Sequence, residues 1–176
     1  LEMLDRLGHP EATRCAQAAA VDKATDLRKV GVRILSRLNP TAAVPVLENL
    51  IATASMTERQ NAMSTLGKLD SKAADAALVA WLDKLSGDTV EKSLRLELLE
   101  AAARRKSPTV SAKLKAVQAQ RMQLASKDIL KNYDECLEGG DRNRGRKLFW
   151  RDDAAISCQR CHRIKKRGGE AGPDLA

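Results

Sequence analysis

The sequence has very few aromatic residues. Two Trp, one Tyr and one Phe make up 2% of its 176 residues, and runs of β-branched residues are almost absent. Because sheets favour aromatic and β-branched side chains, this scarcity argues against a β-sheet. The apolar 43% of the chain is built mainly from Ala, Leu and Val, and Ala, Leu, Lys, Arg and Glu are strong helix formers. The sequence therefore predicts an all-α fold.

Long apolar runs are missing as well. No stretch approaches the roughly 18 apolar residues of a membrane helix, so we expect no membrane span in this segment. The sequence starts at Leu1 without a signal-like apolar region and stops at Ala176, just after Gly172-Pro173-Asp174. We therefore expect it to be a segment of a longer protein.

Positive charge is unevenly distributed along the chain. Residues 141–176 carry ten basic and five acidic residues, a net charge of +5, whereas residues 1–140 carry 21 and 18, a net charge of +3. Five of the basic residues in 141–176 lie close together in the sequence, namely Arg160, Arg163, Lys165, Lys166 and Arg167. This pattern indicates either a docking surface for an acidic partner or a solvated basic turn.

Apolar residues recur at three- and four-residue steps over about the first 125 residues, the spacing of amphipathic helices. The predicted helices form pairs, with turns at Asn39-Pro40, Asp70-Ser71 and Ser107-Pro108. Counted from Pro40, Ser71 and Pro108, the turns are 31 and 37 residues apart, which is the period of an α-solenoid. Residues 24–125 resemble HEAT repeats in the turn before each second helix. An irregular helical bundle is the alternative.

The motif that carries chemistry is Cys158-Gln-Arg-Cys161-His162. Its thiols and imidazole stand at i, i+3 and i+4, so one helical turn would present all three on the same face. In c-type haem attachment two such thiols form thioethers with the haem vinyl groups, and the imidazole is the proximal iron ligand. We predict that Cys158, Cys161 and His162 bind haem c, with His162 as the metal ligand. We assign no catalytic residue in this segment.

A Cys pair can also belong to a zinc site, a redox-active disulfide or an iron–sulfur cluster, but each of these needs residues or structure that the sequence does not show. A structural zinc site needs four ligands, and the remaining candidates, Cys15, Cys136 and His9, are isolated in the sequence. A thioredoxin-like redox pair is expected near a βαβ pattern, and the sequence shows no strand. An iron–sulfur cluster needs four thiolates in a tighter set.

The stretch from Gly140 to Leu175 resembles the first half of class I cytochrome c. The likeness rests on Gly-Asp-Arg-Asn-Arg-Gly-Arg-Lys-Leu-Phe before the motif and on Gly-Gly-Glu-Ala-Gly-Pro-Asp-Leu after it. It implies that Gly145 and Phe149 pack against a final helix, and that the Pro173 carbonyl accepts the Nδ1 proton of the proximal His. Residues 150–157 make a longer spacer than in the mitochondrial protein, which implies a local loop.

A complete haem site of that family also has a distal Met some tens of residues after the motif. The methionines here, Met3, Met56, Met63 and Met122, all lie upstream at helical positions, where we expect them to fill the core. A module of 36 residues is too short to enclose haem unaided. The final helix would come from other residues or a partner, so this chain taken alone need not carry haem.

The predicted parts are HEAT-like repeats in 1–125, a helical connector in 126–139 and a partial cytochrome c-like module in 140–176. This order resembles the haem-binding C-terminal region of large planctomycete-type proteins. The resemblance implies that a dehydrogenase-like propeller precedes it in the full polypeptide, although no residue here indicates a dehydrogenase.

We predict an electron-transfer module with covalent haem c, carried on a helical scaffold as part of a larger redox protein. Covalent haem implies a periplasmic or other extracytoplasmic location, and the basic residues imply a redox partner with an acidic docking surface. The alternative is a HEAT-like scaffold without haem that binds an acidic protein or nucleic acid. The modest charge of residues 1–140 and the shortage of stacking aromatics do not favour nucleic acid.

Overall fold

A computed structural model describes residues 1–124, 129–153 and 155–175 of the chain. The chain divides into two compact units, Leu1–Gly139 and Gly140–Ala176. The described residues form eleven α-helices, one 3₁₀ helix and a single hairpin of two short strands. The all-α prediction is therefore confirmed, and the protein is mostly helical with helices that pack in sequence order.

The first unit begins with eight α-helices in succession. They are α1 Glu2–Arg6, α2 Ala12–Ala20, α3 Thr25–Leu38, α4 Pro40–Thr53, α5 Met56–Leu66, α6 Lys72–Ser86, α7 Lys92–Arg104 and α8 Pro108–Leu124. The helix pairs expected from the sequence correspond to α3/α4, α5/α6 and α7/α8. Helices α3 and α4 pack on each other, as do α7 and α8, whereas α5 packs on α4 and α7 and α6 packs on α4, α7 and α8. The array also contains α2, which packs on α3 before the first of these pairs.

Local capping explains where the second helices of two pairs begin. The Asn39 side chain accepts a hydrogen bond from the Ala42 backbone N–H at 3.0 Å, and Pro40 occupies the first position of α4. The Ser71 hydroxyl likewise accepts from the Ala74 N–H at 3.1 Å at the start of α6. Each cap satisfies an amide that has no partner inside the helix, so these residues fix the turns.

The helices form two layers with the apolar core between them. Helix α2 packs on α3, α3 on α4, α4 on α5, α6 on α7, and α7 on α8. Helices two apart also pack, α4 with α6, α5 with α7 and α6 with α8. The core is dominated by Leu and Ala, and its largest fully buried side chains include Ile34, Leu35, Leu47, Leu78 and Leu98. Stacking in this way buries apolar stripes that no single pair could cover.

Two glycines allow close approach between neighbouring helices. A Cβ at Gly31 of α3 would overlap the backbone of Ala20 in α2. A Cβ at Gly67, which follows α5, would lie 2.6 Å from the Ala101 Cα of α7. Contacts this short cannot form with a larger residue, so both positions need glycine for packing and not for backbone freedom.

Ion pairs connect successive helix pairs at nearly the repeat distance. Arg28 of α3 pairs with Glu58 of α5 at 2.6 Å, and Arg59 of α5 pairs with Glu91 just before α7 at 2.7 Å. The partners lie 30 and 32 residues apart in sequence. The Arg28–Glu58 pair is largely buried, with 18% and 14% of the side chains exposed. It therefore holds two neighbouring pairs in a fixed relation.

The predicted connector over 126–139 lies partly outside the described residues, which resume at 129. A 3₁₀ helix spans Ile129–Tyr133, and α9 spans Glu135–Glu138. Short helix α9 packs on α7, and buried Glu135 forms an ion pair with Arg121 of α8. Residues 129–139 thus belong to the first compact unit.

The prediction that all four methionines fill the core is only partly correct. Met63 is fully buried and Met56 packs against the core. Met3 and Met122 are 66% and 65% exposed, because each lies on the outer face of its helix. Cys136 is also exposed.

The second unit contains α10 Arg142–Phe149, α11 Cys158–Cys161 and a hairpin of β1 Arg163–Ile164 and β2 Arg167–Gly168. The expectation that this region has no strand is therefore wrong, because a two-residue turn suffices to pair two very short strands. Within the described ranges of the two units, no helix is long and apolar enough to cross a membrane.

Candidate haem-attachment site

Helix α10 leads into the site and is fixed at its start by Asp141. One carboxylate oxygen of Asp141 accepts hydrogen bonds from the backbone N–H groups of Asn143 at 2.7 Å and Arg144 at 2.9 Å. These bonds lower the pKa of Asp141 below its usual value, and the bond from the Arg144 N–H has the largest effect. At the other end Phe149 is buried, and its ring meets that of Trp150 edge to face at 4.9 Å.

A loop then connects α10 to the cysteine motif, as the long spacer predicted. Residue 154 lies outside the described residues. Asp153 shapes the loop, because one carboxylate oxygen accepts the N–H groups of Ala155 and Ile156, both at 2.9 Å. These bonds, with Arg151 beside them, lower the pKa of Asp153. The Gln159 amide donates to the Trp150 carbonyl at 3.1 Å and so ties the motif to the end of α10.

The motif itself forms a single helical turn. Helix α11 spans Cys158–Cys161, and both thiols are exposed and free. His162 is the residue after the helix, with extended backbone angles of −103° and 153°, although its N–H still donates to the Cys158 carbonyl at 2.9 Å. The imidazole therefore leaves the turn in a direction set by the chain that follows, not by the helix alone.

That following chain wraps back over the motif through glycines. The Gly169 N–H is shared between the carbonyls of Gln159 at 2.8 Å and His162 at 3.1 Å, and the Gly172 N–H donates to the Cys161 carbonyl at 2.7 Å. A Cβ on Gly172 would lie 2.6 Å from Cε1 and 2.7 Å from Nδ1 of the His162 ring. The Gly172 backbone therefore lies directly against the imidazole.

The imidazole is oriented by the next residue. His162 Nδ1 lies 3.0 Å from the Pro173 carbonyl oxygen. Because a carbonyl only accepts, Nδ1 carries the proton, which leaves the Nε2 lone pair available to a metal in the neutral ring. The hydrogen bond between His162 and Pro173 is the one that the resemblance to class I cytochrome c implied. That Pro173 orients a haem ligand stays a prediction.

The hairpin after the motif carries the basic residues. Its turn is made by Lys165 and Lys166, whose φ angles of 51° and 67° are both left-handed. Two consecutive left-handed residues are typical of a type I′ turn, which usually has Asn and Gly at these positions. Neither lysine side chain makes an ion pair with any residue that the structure describes, so the two ammonium groups stand at the exposed tip.

The other basic residues of this group are engaged by local partners. Arg160 pairs with Asp152 at 2.8 Å, and Arg163 pairs with both Glu170 and Asp174 at 3.2 Å. The Arg167 guanidinium lies over the Trp150 ring at 4.9 Å. The net positive field of the patch therefore comes mainly from the turn.

The structure gives no support for a metal site built from protein ligands alone. Across residues 1–124, 129–153 and 155–175, no group of three or more His, Cys, Asp or Glu side chains could hold a metal ion. Cys15 is half-buried and Cys136 is exposed, and both thiols are free. The four sequence-predicted residues Cys158, Cys161, His162 and Pro173 do lie together in one compact segment.

No protein-family model, curated protein or solved structure matches this chain.

Sequence reasoning missed the part that Gly172 and the hairpin play in forming the site. The available signal was the Gly168-Gly169 pair followed by Gly172-Pro173, since glycines at close spacing indicate close backbone approach. Periodicity could not reveal which group the backbone approaches.

Proposed function

We propose that residues 140–176 form a haem c-binding electron-transfer module, with Cys158 and Cys161 as the covalent anchors and His162 as the proximal iron ligand. The observation that carries the proposal is the His162 imidazole held by the Pro173 carbonyl directly after a turn with two exposed thiols. Bound haem would supply one-electron chemistry between ferric and ferrous iron.

The described residues fit this group in three respects. Both thiols are accessible, as attachment to the vinyl groups requires. The Pro173 hydrogen bond places the proton on Nδ1 and increases the donor strength of Nε2. Gly172 restricts ring rotation, because its backbone packs on the imidazole. The His162 imidazole would thus already be oriented to bind iron and would not have to rearrange when haem binds.

The face of α10 around Gly145 leaves room for a further helix. A Cβ on Gly145 would meet no atom within 4 Å, and Leu148 of the same helix is 40% exposed. In the class I cytochrome c resemblance this helix packs on the final helix of the fold. The open surface is what such a contact requires, so we propose that a segment from elsewhere completes the haem pocket here.

The helical array in turn resembles a HEAT-like scaffold for the module. Its support is the packing of α3 on α4 and of α7 on α8, the packing of α5 on α7 and of α6 on α8, and the ion pairs from α3 to α5 and from α5 to the start of α7. We propose that the array positions the module within a larger extracytoplasmic redox protein, and that the lysines of the hairpin turn steer a redox partner with an acidic surface.

The test is haem attachment in a bacterial strain with c-haem maturation. We expect the purified full-length protein to retain haem after acid-acetone extraction and to give a c-type pyridine haemochrome spectrum. Replacing Cys158 and Cys161 by Ala should abolish attachment. Cys136→Ala is the matched control, because its exposed thiol lies outside the motif, and it should leave haem content unchanged.

Circular dichroism of the same variants checks the fold. The helical signal should persist after loss of the two motif cysteines, because most helices belong to the first unit. A colourless, fully matured protein whose motif thiols both react with an alkylating reagent would disprove the haem proposal.

A further inference from the structure

A cleft of about 400 Å³ lies between α3 and α5 in the helical array. Its base is apolar and is formed by Val32, Leu50 and Ala62. Helix α4 packs on both α3 and α5, so Leu50 closes the cleft from behind. The volume falls within the range of about 300–1,000 Å³ that is usual for ligand pockets, and it is large enough for one or two side chains of a partner.

The rim of the cleft is basic and polar. Lys29 and Arg33 extend from α3, and Lys68 lies just beyond the end of α5. Lys29 and Arg33 make ion pairs that are largely exposed to solvent, and such pairs are weak and exchange readily with another carboxylate. Lys68 makes no ion pair within the described part of the chain. Hydrogen-bonding side chains of α5 complete the rim, namely Asn61, Ser64 and Thr65.

One wall of the cleft is held rigidly by Arg28. Its Nε and Nη2 atoms donate to one Glu58 oxygen at 3.1 and 2.6 Å, and its Nη1 donates to the Asp22 and Lys23 carbonyls at 2.8 and 2.7 Å. Both members of the Arg28–Glu58 pair are mostly buried. The cleft is therefore preformed, which lowers the entropy cost of binding.

Basic residues outnumber acidic residues in the lining of this cleft. Residues 1–139 hold 21 basic and 18 acidic residues. The cleft lining holds four of the basic residues and one of the acidic residues, which leaves 17 of each for the rest of the unit. Glu2 and Asp26 lie outside the lining and pair with Arg33 and Lys29, but these ion pairs are exposed to solvent. A carboxylate of a partner can replace either of them, so the basic lining favours an anionic occupant.

We propose that the α3–α5 cleft docks an acidic segment of a partner protein that inserts one aliphatic side chain between the helices. The apolar base takes the aliphatic anchor, while Lys29, Arg33 and Lys68 bind the flanking carboxylates. Nucleic acid fits less well, because none of the described lining residues is aromatic and could stack on a base. The docking site lies in the first unit and does not depend on haem.

The test uses the complete chain and a fluorescein-labelled peptide with one Leu flanked on each side by two Glu residues. Anisotropy should report saturable, salt-sensitive binding, and replacing Leu by Gly or Glu by Lys in the peptide should abolish it. Arg33→Glu and Lys68→Glu should each weaken binding about fivefold, the effect expected for one partly exposed charge. Asn61→Trp should block the cleft, because residue 61 is exposed on its rim.

Lys115→Glu is the matched control, since this exposed lysine lies on α8 and not in the cleft. Its effect should stay below about twofold. Amide shifts in a ¹⁵N spectrum should concentrate at Val32 and at the exposed face of α5. Equal effects of the rim and control variants, shifts confined to the hairpin Arg163–Gly168, or tighter binding of a short oligothymidylate at the same residues would each overturn the proposal.

Discussion

The contact between Gly172 and the His162 ring gives a sharp prediction. In Gly172→Ala the new methyl carbon would lie 2.6 Å from Cε1, 2.7 Å from Nδ1 and 3.0 Å from Nε2 of the imidazole. Ordinary non-bonded contacts of this kind are about 3.5–4.0 Å. The ring and the backbone must therefore separate by about 1 Å.

A movement of that size removes the hydrogen bond that orients the ring. The His162 Nδ1 to Pro173 oxygen distance is 3.0 Å, and about 1 Å more takes it beyond hydrogen-bonding range. We expect the local fold to lose about 1–3 kcal/mol, the usual cost of overpacking. The proton should also redistribute from Nδ1 to Nε2, because the carbonyl no longer selects the tautomer.

Imidazole ¹⁵N spectra measure this tautomer directly. The chain has only two histidines, so the signals of His162 and His9 are easily separated. The wild-type neutral ring should be almost wholly Nδ1-protonated, whereas Gly172→Ala should shift the population toward Nε2-protonated His162. Gly145→Ala is the control, because its Cβ meets no atom within 4 Å and a helical Ala is favoured over Gly. An unchanged tautomer in Gly172→Ala would refute the reasoning.

Three further predictions concern the turn, the array and the start of α10. Lys165→Asn with Lys166→Gly should stabilise the hairpin by about 1 kcal/mol, because both positions have left-handed φ angles that these residues tolerate better; slower amide exchange in β1 and β2 would verify it. Gly67→Ala should lower the free energy of unfolding, measured in urea, by about 2 kcal/mol or more, because its Cβ would overlap α7. Gly87→Ala is the control and should be tolerated, because its Cβ would have its nearest contact at 3.7 Å. Equal losses in the two variants would contradict the packing argument. The hydrogen bonds that lower the pKa of Asp141 also stabilise the start of α10, fully so at a pH above the ordinary carboxyl pKa of about 4. This stability should be lost as the pH falls through the lowered pKa of Asp141. Asp141→Asn should remove the pH dependence of amide exchange at the start of α10.

Local sequence signals were sufficient for much of the array. Apolar spacing and the turn residues Asn39-Pro40 and Asp70-Ser71 predicted where the helix pairs turn. The structure shows that Asn39 and Ser71 cap the helices that follow, and a cap satisfies amides within its own first turn. The same periodicity did not distinguish buried Met63 from exposed Met122. Both occupy helices, and only the presence of a neighbouring helix decides which face is covered.

By itself, the sequence determined the helical character of the chain, the spacing of its helix turns and the closeness of Cys158, Cys161 and His162. Each of these features depends on residues only a few positions apart. Only the tertiary structure decided the cleft between α3 and α5, the fit of Gly172 against the imidazole and the turn that exposes two lysines. These features depend on distances between backbone segments that meet through packing. Side-chain periodicity sets which residues face inward, but it does not set how closely two elements approach.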